Sequence, residues 1–161
     1  MARNPVLIFG IIVILAILSV PAMADTPPAA MNLTAMRLDG SSVSLQDGRG
    51  KPALVIYWSP DSLASRKSMG ELQRFADSPA GRNVFLLAIS TSSDRAALQT
   101  FMVERQLKFP AALRVQDDLG EIADQNLPLL FVFDAEGRLL RRHAGMFHKS
   151  LLARLLQPTT P

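Results

Sequence analysis

The unbroken apolar run Ala53-Leu54-Val55-Ile56-Tyr57-Trp58 limits what this chain can become more than any other feature. A β-rich run so short has no polar side to turn to water. It therefore reads as a strand covered on both faces, which requires packed layers above and below it. A turn at Ser59-Pro60-Asp61 ends the strand. A helix then opens at Ser62, with Met69, Leu72, Phe75 and Ala76 at helical spacing. Ser78-Pro79-Ala80-Gly81 breaks the chain, and Asn83 to Ser90 supplies a second buried strand. Ser93 is the expected N-cap of a further helix, whose apolar face is Leu98, Phe101 and Met102. Strand, helix, strand, helix in this order predicts parallel strands joined by right-handed crossovers. The expected class is α/β, a central mixed β-sheet flanked by helices.

The remaining segments extend that sheet. Leu33 to Leu38 alternates, Asp39-Gly40 turns, and Val43-Ser44-Leu45 completes an N-terminal β-hairpin. Gly48-Arg49-Gly50-Lys51-Pro52 is a loop entering the central strand; without a following Gly-Lys-Ser/Thr it is not a phosphate loop. Phe109-Pro110 is a connector and Leu113-Arg114-Val115 a short strand, followed by a short helix at Leu119 to Gln125. Leu129–Phe133 and Leu139–Ala144 pair across a turn at Asp134-Ala135-Glu136-Gly137, with Gly137 in the left-handed position. A last helix places Leu151, Leu152, Leu155 and Leu156 on the sheet.

The N-terminus reads as an export signal. Met1-Ala2-Arg3-Asn4 is basic, Val6 to Leu18 is apolar, and Pro21-Ala22-Met23-Ala24 offers an Ala-x-Ala cleavage site. The expected organisation is a signal peptide at 1–24, a flexible tether at 25–31, a domain at 32–157 and a tail at 158–161. The competing reading anchors residues 5–24 in the inner membrane, although the apolar run is short of the about 20 residues a bilayer needs. Export to the periplasm or beyond is the expectation, with membrane contact only through an uncleaved segment. The chain has a net charge of +3 and no cysteine. Its one dense basic patch, Arg138, Arg141, Arg142 and His143, lacks interleaved aromatics and reads as a solvated hairpin face; nucleic acid is not an expected partner.

The stretch from Val55 to Leu72 resembles the thioredoxin-like superfamily, in its TlpA/ResA-like exported branch. That branch runs V-x-F-W-A-x-W-C-P-P-C-R-x-E-M-P-E-L, and Val55, Trp58, Arg66, Met69, Glu71 and Leu72 fall on its positions. The hairpin before the central strand resembles the opening of TlpA-like and peroxiredoxin-like (redoxin) domains. Asn126 to Arg138 resembles the family's G-x-P-T-x-F-L-I-D-x-x-G-x. The resemblance spans Leu33 to Leu156 and implies a thioredoxin fold, with Pro128 as the cis-proline whose loop faces the Cys-x-x-Cys turn. It also implies thiol–disulfide oxidoreductase activity. Yet Ser62 and Ser65 stand where the two cysteines belong.

Thiol–disulfide exchange requires a thiolate, which a serine hydroxyl cannot replace. Asp61 stands at the family's aromatic position, Leu63-Ala64 replaces Pro-Pro, and Gly70 replaces the helix proline, so the whole motif has drifted. A deliberate Cys→Ser double replacement would have kept those prolines. Ser62 as a hydrolytic nucleophile needs a base, and the sequence brings neither His143 nor His148 to it; a helix cap is the simpler role. His143, Met146 and His148 form a weak candidate copper set. The Sco copper proteins share this fold, but they use two thiolates and a histidine near the position of Pro128.

The sequence thus describes an exported, redox-inactive thioredoxin-fold protein with a degenerate Ser-x-x-Ser site, a polypeptide-binding or accessory module of the cell envelope. Its groove would be framed by Trp58, Asp61, Ser62, Leu63, Leu127 and Pro128, with an extended polypeptide or envelope protein as partner. No catalytic residue and no cofactor are expected. The alternatives are a TlpA/ResA-like oxidoreductase by descent, serving redox homeostasis, and a copper-handling accessory protein.

Overall fold

The computed structural model describes residues 32–120 and 122–157; the expected signal, tether and tail lie outside them. The elements are β1 (Leu33–Arg37), β2 (Ser42–Ser44), β3 (Ala53–Trp58), α1 (Leu63–Ala76), α2 (Pro79–Arg82), β4 (Phe85–Ser90), α3 (Arg95–Glu104), β5 (Ala111–Asp117), β6 (Leu129–Phe133), β7 (Leu139–Ala144) and α4 (Lys149–Leu155). The strands form one mixed sheet in the order β2-β1-β5-β4-β3-β6-β7. β3, β4 and β5 run parallel, and the remaining pairs are antiparallel. No helix among the described residues is long and apolar enough to cross a membrane.

β3 lies inside the sheet between β4 and β6, and every one of its residues is buried. Side chains alternate across a strand, so its two faces serve two cores. Leu54, Ile56 and Trp58 pack with Met69, Leu72 and Phe75 of α1, Leu98 and Met102 of α3, and Leu152 of α4. Val55 and Tyr57 face the other way, with Leu33, Ala35, Val43 and Leu45 of the hairpin region, Leu127 and Phe131. Each such side chain withdrawn from water contributes about 1.5–3 kcal/mol, and α1 is held mainly by its three.

The helices therefore gather on one face, and the reason lies between β5 and β6. The expected helix at Leu119 to Gln125 does not form among the described residues: the backbone turns at Gly120, whose φ is +72°, and only a single 3-10 turn follows at Asp124–Asn126. Gly120 interrupts the helical path: its left-handed backbone cannot continue an α-helix, and Arg114 of β5 holds its carbonyl at 2.7 Å. Asp117, also tied to Arg114, accepts the Leu119 N–H (3.0 Å) in a local turn. β5 continues to Asp117 instead and pairs with β1. Leu119 and Ile122 cover the second face as loop residues.

Two smaller expectations are corrected. The cap of α3 is Asp94 rather than Ser93: its carboxylate accepts the Ala97 N–H at 2.9 Å. The Ser78–Gly81 break is itself a one-turn helix, with Ser78 capping the Gly81 N–H and Pro79 in the first turn, where a missing N–H costs nothing.

Candidate functional site

β3 delivers the chain to the Ser59 turn at the C-terminal end of the parallel strands, and hydroxyls hold that turn. Ser59 Oγ accepts the Asp61 N–H at 3.1 Å, and the Ser59 carbonyl accepts the Ser62 N–H at 3.1 Å. Ser62 is the N-cap of α1, its Oγ accepting the Ser65 N–H at 3.2 Å. Ser65 is fully buried, and its Oγ accepts the Ser59 N–H at 3.3 Å. Arg66 donates to the Pro60 carbonyl at 3.3 Å. Both positions at which the resemblance places sulfur are thus occupied by hydroxyls acting as local hydrogen-bond acceptors. Ser62 has no imidazole among its hydrogen-bond partners in the described residues, so the activated hydroxyl of a hydrolase is not assembled here.

Opposite the turn stands the loop before β6, where the Leu127–Pro128 peptide bond is cis. The Leu127 N–H donates to the Asp124 carbonyl at 3.1 Å, and the Pro128 carbonyl accepts the Gly145 N–H at 2.9 Å. Between turn and loop lies an open cleft of about 400 Å³ lined by Ser59, Asp61, Ser62, Asp124, Gln125 and Leu127. Asp61 and Asp124 are exposed at its rim, and both carboxylates lie toward the positive end of α1.

The six expected groove residues divide. Asp61, Ser62 and Leu127 line this cleft. Leu63 is 58 % exposed but faces a neighbouring recess with Phe101 and Arg105. Pro128 is buried. Trp58 lies wholly in the core beneath the turn, tilted against Phe101 with ring centroids 5.3 Å apart. Its indole N–H has no acceptor among the described residues. Trp58 therefore supports the site from below and does not line it, because the alternation of β3 aims it at the helix layer. Leu127 is only 3 % exposed, so it closes the floor of the cleft. Asp124 and Gln125 also belong to the cleft; in the sequence they fall at the end of the expected Leu119 to Gln125 helix, immediately before the Pro128 motif.

A second polar group, also unforeseen, supports the sheet behind the turn. Tyr57 donates its hydroxyl to Asp117 Oδ2 at 2.7 Å. Arg114 binds the same carboxylate through two nitrogens, at 2.8 and 2.9 Å, and stacks 5.6 Å over the Tyr57 ring. The Asp117 side chain is 1 % exposed. Burial alone would raise its pKa, but hydrogen bonds from Arg114, Tyr57 and the Leu119 N–H outweigh burial and hold it below the usual carboxylate range. Burial, with the neighbouring carboxylate, pushes the Tyr57 hydroxyl up, so it stays protonated.

The weak metal candidates sit at the β7–α4 corner. His143 Nε2 is 3.4 Å from the Met146 carbonyl, not its thioether, and His148 is the N-cap residue of α4. Among the described residues no group of three or more His, Cys, Asp or Glu is arranged to hold a metal ion.

Residues 27–142 match the AhpC/TSA family. The thiol-disulfide oxidoreductase ResA of Bacillus cereus is 25 % identical over 133 residues, covering 82 % of this chain and 77 % of that protein. Among solved structures, a thioredoxin-family thiol:disulfide interchange protein from Chlorobium tepidum superposes with a TM-score of 0.68 at 18 % identity, over 81 % of this chain and 94 % of that one. A secreted Mycobacterium tuberculosis disulfide oxidoreductase gives 0.60 at 23 % identity, over 76 % and 92 %. The seven-stranded mixed sheet, the strand–turn–helix at Ser59–Ser65 and the match over most of its length place this cysteine-free chain in the AhpC/TSA family, by descent among the thioredoxin-like thiol–disulfide oxidoreductases.

Proposed function

We propose that this chain is an exported, redox-silent module of the cell envelope that holds extended polypeptide non-covalently in the cleft between the Ser59 turn and the Leu127–Pro128 loop. One observation carries the reading. The cleft stays open, at about 400 Å³, while the hydroxyl oxygens at both of the family's sulfur positions accept backbone N–H groups of the turn. Exchange chemistry needs sulfur; binding an extended chain through its backbone does not. Gln125 and Ser62 offer polar groups on either side, Leu127 closes the floor, and the exposed Leu63 adds apolar area on the outer shoulder of the turn. With so small a contact and no covalent lock, affinity is expected at about micromolar or weaker. Export is supported by the basic–apolar–Ala-x-Ala order of residues 1–24 and by a fold shared with a protein described as secreted.

Reduced, carboxymethylated α-lactalbumin, an unfolded polypeptide with its thiols blocked, tests the reading by calorimetric titration. Wild type should bind saturably. Gln125→Trp, which fills the cleft from an exposed position, should lose that binding, and Leu63→Glu should weaken it. Val103→Glu, on the exposed side of α3, should leave it unchanged. Equal binding by Gln125→Trp and wild type would remove the cleft from the account. Leu127→Glu is unsuitable, because a charge at a buried position would disturb the loop itself.

A further inference from the structure

A larger recess lies at the opposite end of the sheet from the Ser59 turn. Lys51 leads into β3, Phe85 opens β4 and Pro110 precedes β5, so the N-terminal ends of the three parallel strands meet there. It encloses about 490 Å³, within the roughly 300–1,000 Å³ usual for small-molecule sites.

Its floor is apolar and firmly built. Val43, Phe85 and Phe109 contribute to it. The Phe85 ring lies directly on Gly48, where an added Cβ would stand 2.4 Å from Phe85 Cγ. Gln73 of α1 fixes the Phe109 loop: its Oε1 accepts the N–H groups of Lys108 (2.6 Å) and Phe109 (3.3 Å), and its Nε2 donates to Asp77 (3.0 Å).

The rim is cationic. Arg37, Arg49, Lys51, Arg82 and Lys108 stand around it, against only Asp47 and Asp77. Both carboxylates accept only from uncharged donors, Asp47 from the Ser44 N–H (2.8 Å) and Asp77 from Gln73, so they keep their charge and five cations still face two anions. Arg37 is spent on Ser41 and the Ser42 carbonyl. Arg49, Lys51, Arg82 and Lys108 make no ion pair among the described residues. In a chain whose net charge is only +3, five cations against two carboxylates around one apolar recess are a local concentration of positive charge. Cations beside a low-dielectric wall focus a positive potential into the recess. A purely apolar ligand would leave them unused, and a bare inorganic anion would leave the floor unused.

We infer that this recess binds a small amphipathic organic anion free in solution, a carboxylate, phosphate or sulfonate borne on an aliphatic or aromatic body. The apolar body would lie on Phe85 and Phe109, and the acidic group would reach Arg82 and Lys108. The site is independent of the polypeptide cleft, which lies beyond the other end of β3.

The test uses the isotope-labelled full chain, titrated at constant ionic strength with anilinonaphthalene sulfonate and followed by amide chemical shifts. Saturable shifts are expected at Gly48, Phe85, Lys108 and Phe109. The uncharged analogue phenylnaphthylamine should bind at least about tenfold more weakly, as should the sulfonate to the double variant Arg82→Glu/Lys108→Glu. Both substituted residues are exposed, and a spectrum otherwise like wild type would show the variant folded. Its binding of carboxymethylated α-lactalbumin should be unchanged, which separates failure here from failure of the polypeptide reading. The inference is overturned if the shifts fall elsewhere, if the neutral analogue or the double variant matches the parent interaction, or if inorganic phosphate reproduces the same shifts at the same concentration.

Discussion

Ser65 carries the most information of any single residue in the turn. Its hydroxyl is buried and receives the Ser59 N–H, so the position has a structural duty that sulfur, a weak acceptor, performs poorly. Restoring both thiols by Ser62→Cys/Ser65→Cys should still give a disulfide under mild oxidant, detected by alkylation and mass measurement, at a stability cost of about 1 kcal/mol for the weakened bond. A folded double variant that stays fully reduced would show that the two serines are not in the register assigned to them. Asp117 makes a second prediction. Its carboxyl is held below the usual range in the fold, so it binds a proton less readily folded than unfolded. Its stabilisation is therefore complete above its unfolded value and disappears as pH falls through the folded one. Asp117→Asn should lower unfolding free energy by roughly 1–3 kcal/mol near neutral pH. Denaturant titrations should show the difference from wild type closing under acid conditions. None of this network was legible in the sequence, since Tyr57 and Asp117 stand 60 positions apart.

At the scale of elements, what was legible is what local periodicity dictates. β3 and α1 follow from an apolar run and a three-to-four spacing, and both stand where the sequence put them, with Ser62 as the cap. The cap of α3 was missed by one residue, because Ser93 and Asp94 are both good caps and only the Ala97 N–H geometry distinguishes them. Asp94→Ala should cost about 0.5–2 kcal/mol, whereas Ser93→Ala should stay within about 0.5 kcal/mol; comparable losses at both would refute the assignment. The Leu119–Gln125 helix failed at Gly120, which takes a left-handed φ of +72° and whose carbonyl is bound by Arg114 of β5. The same limit applies to the groove. Sequence could bring the Ser59 turn and the Pro128 loop to one end of the sheet, but not say that Trp58 points into the core or that Leu127 is floor while Gln125 is rim.

For the whole molecule, the fold keeps the sheet, crossovers and facing loops of an oxidoreductase family while the chain carries no cysteine. Exported material should begin at Asp25, and intact mass would contradict the cleavage expectation if residues 1–24 were retained. The central claim is that the cleft outlived its sulfur as a binding surface. Amide chemical-shift mapping during titration with a cysteine-free unfolded polypeptide addresses it most directly. The account predicts saturable shifts concentrated at Asp61–Leu63 and at Asp124–Leu127. Saturable binding whose shifts fall elsewhere, or no binding up to about millimolar concentration, where affinity is only about −4 kcal/mol, would contradict it.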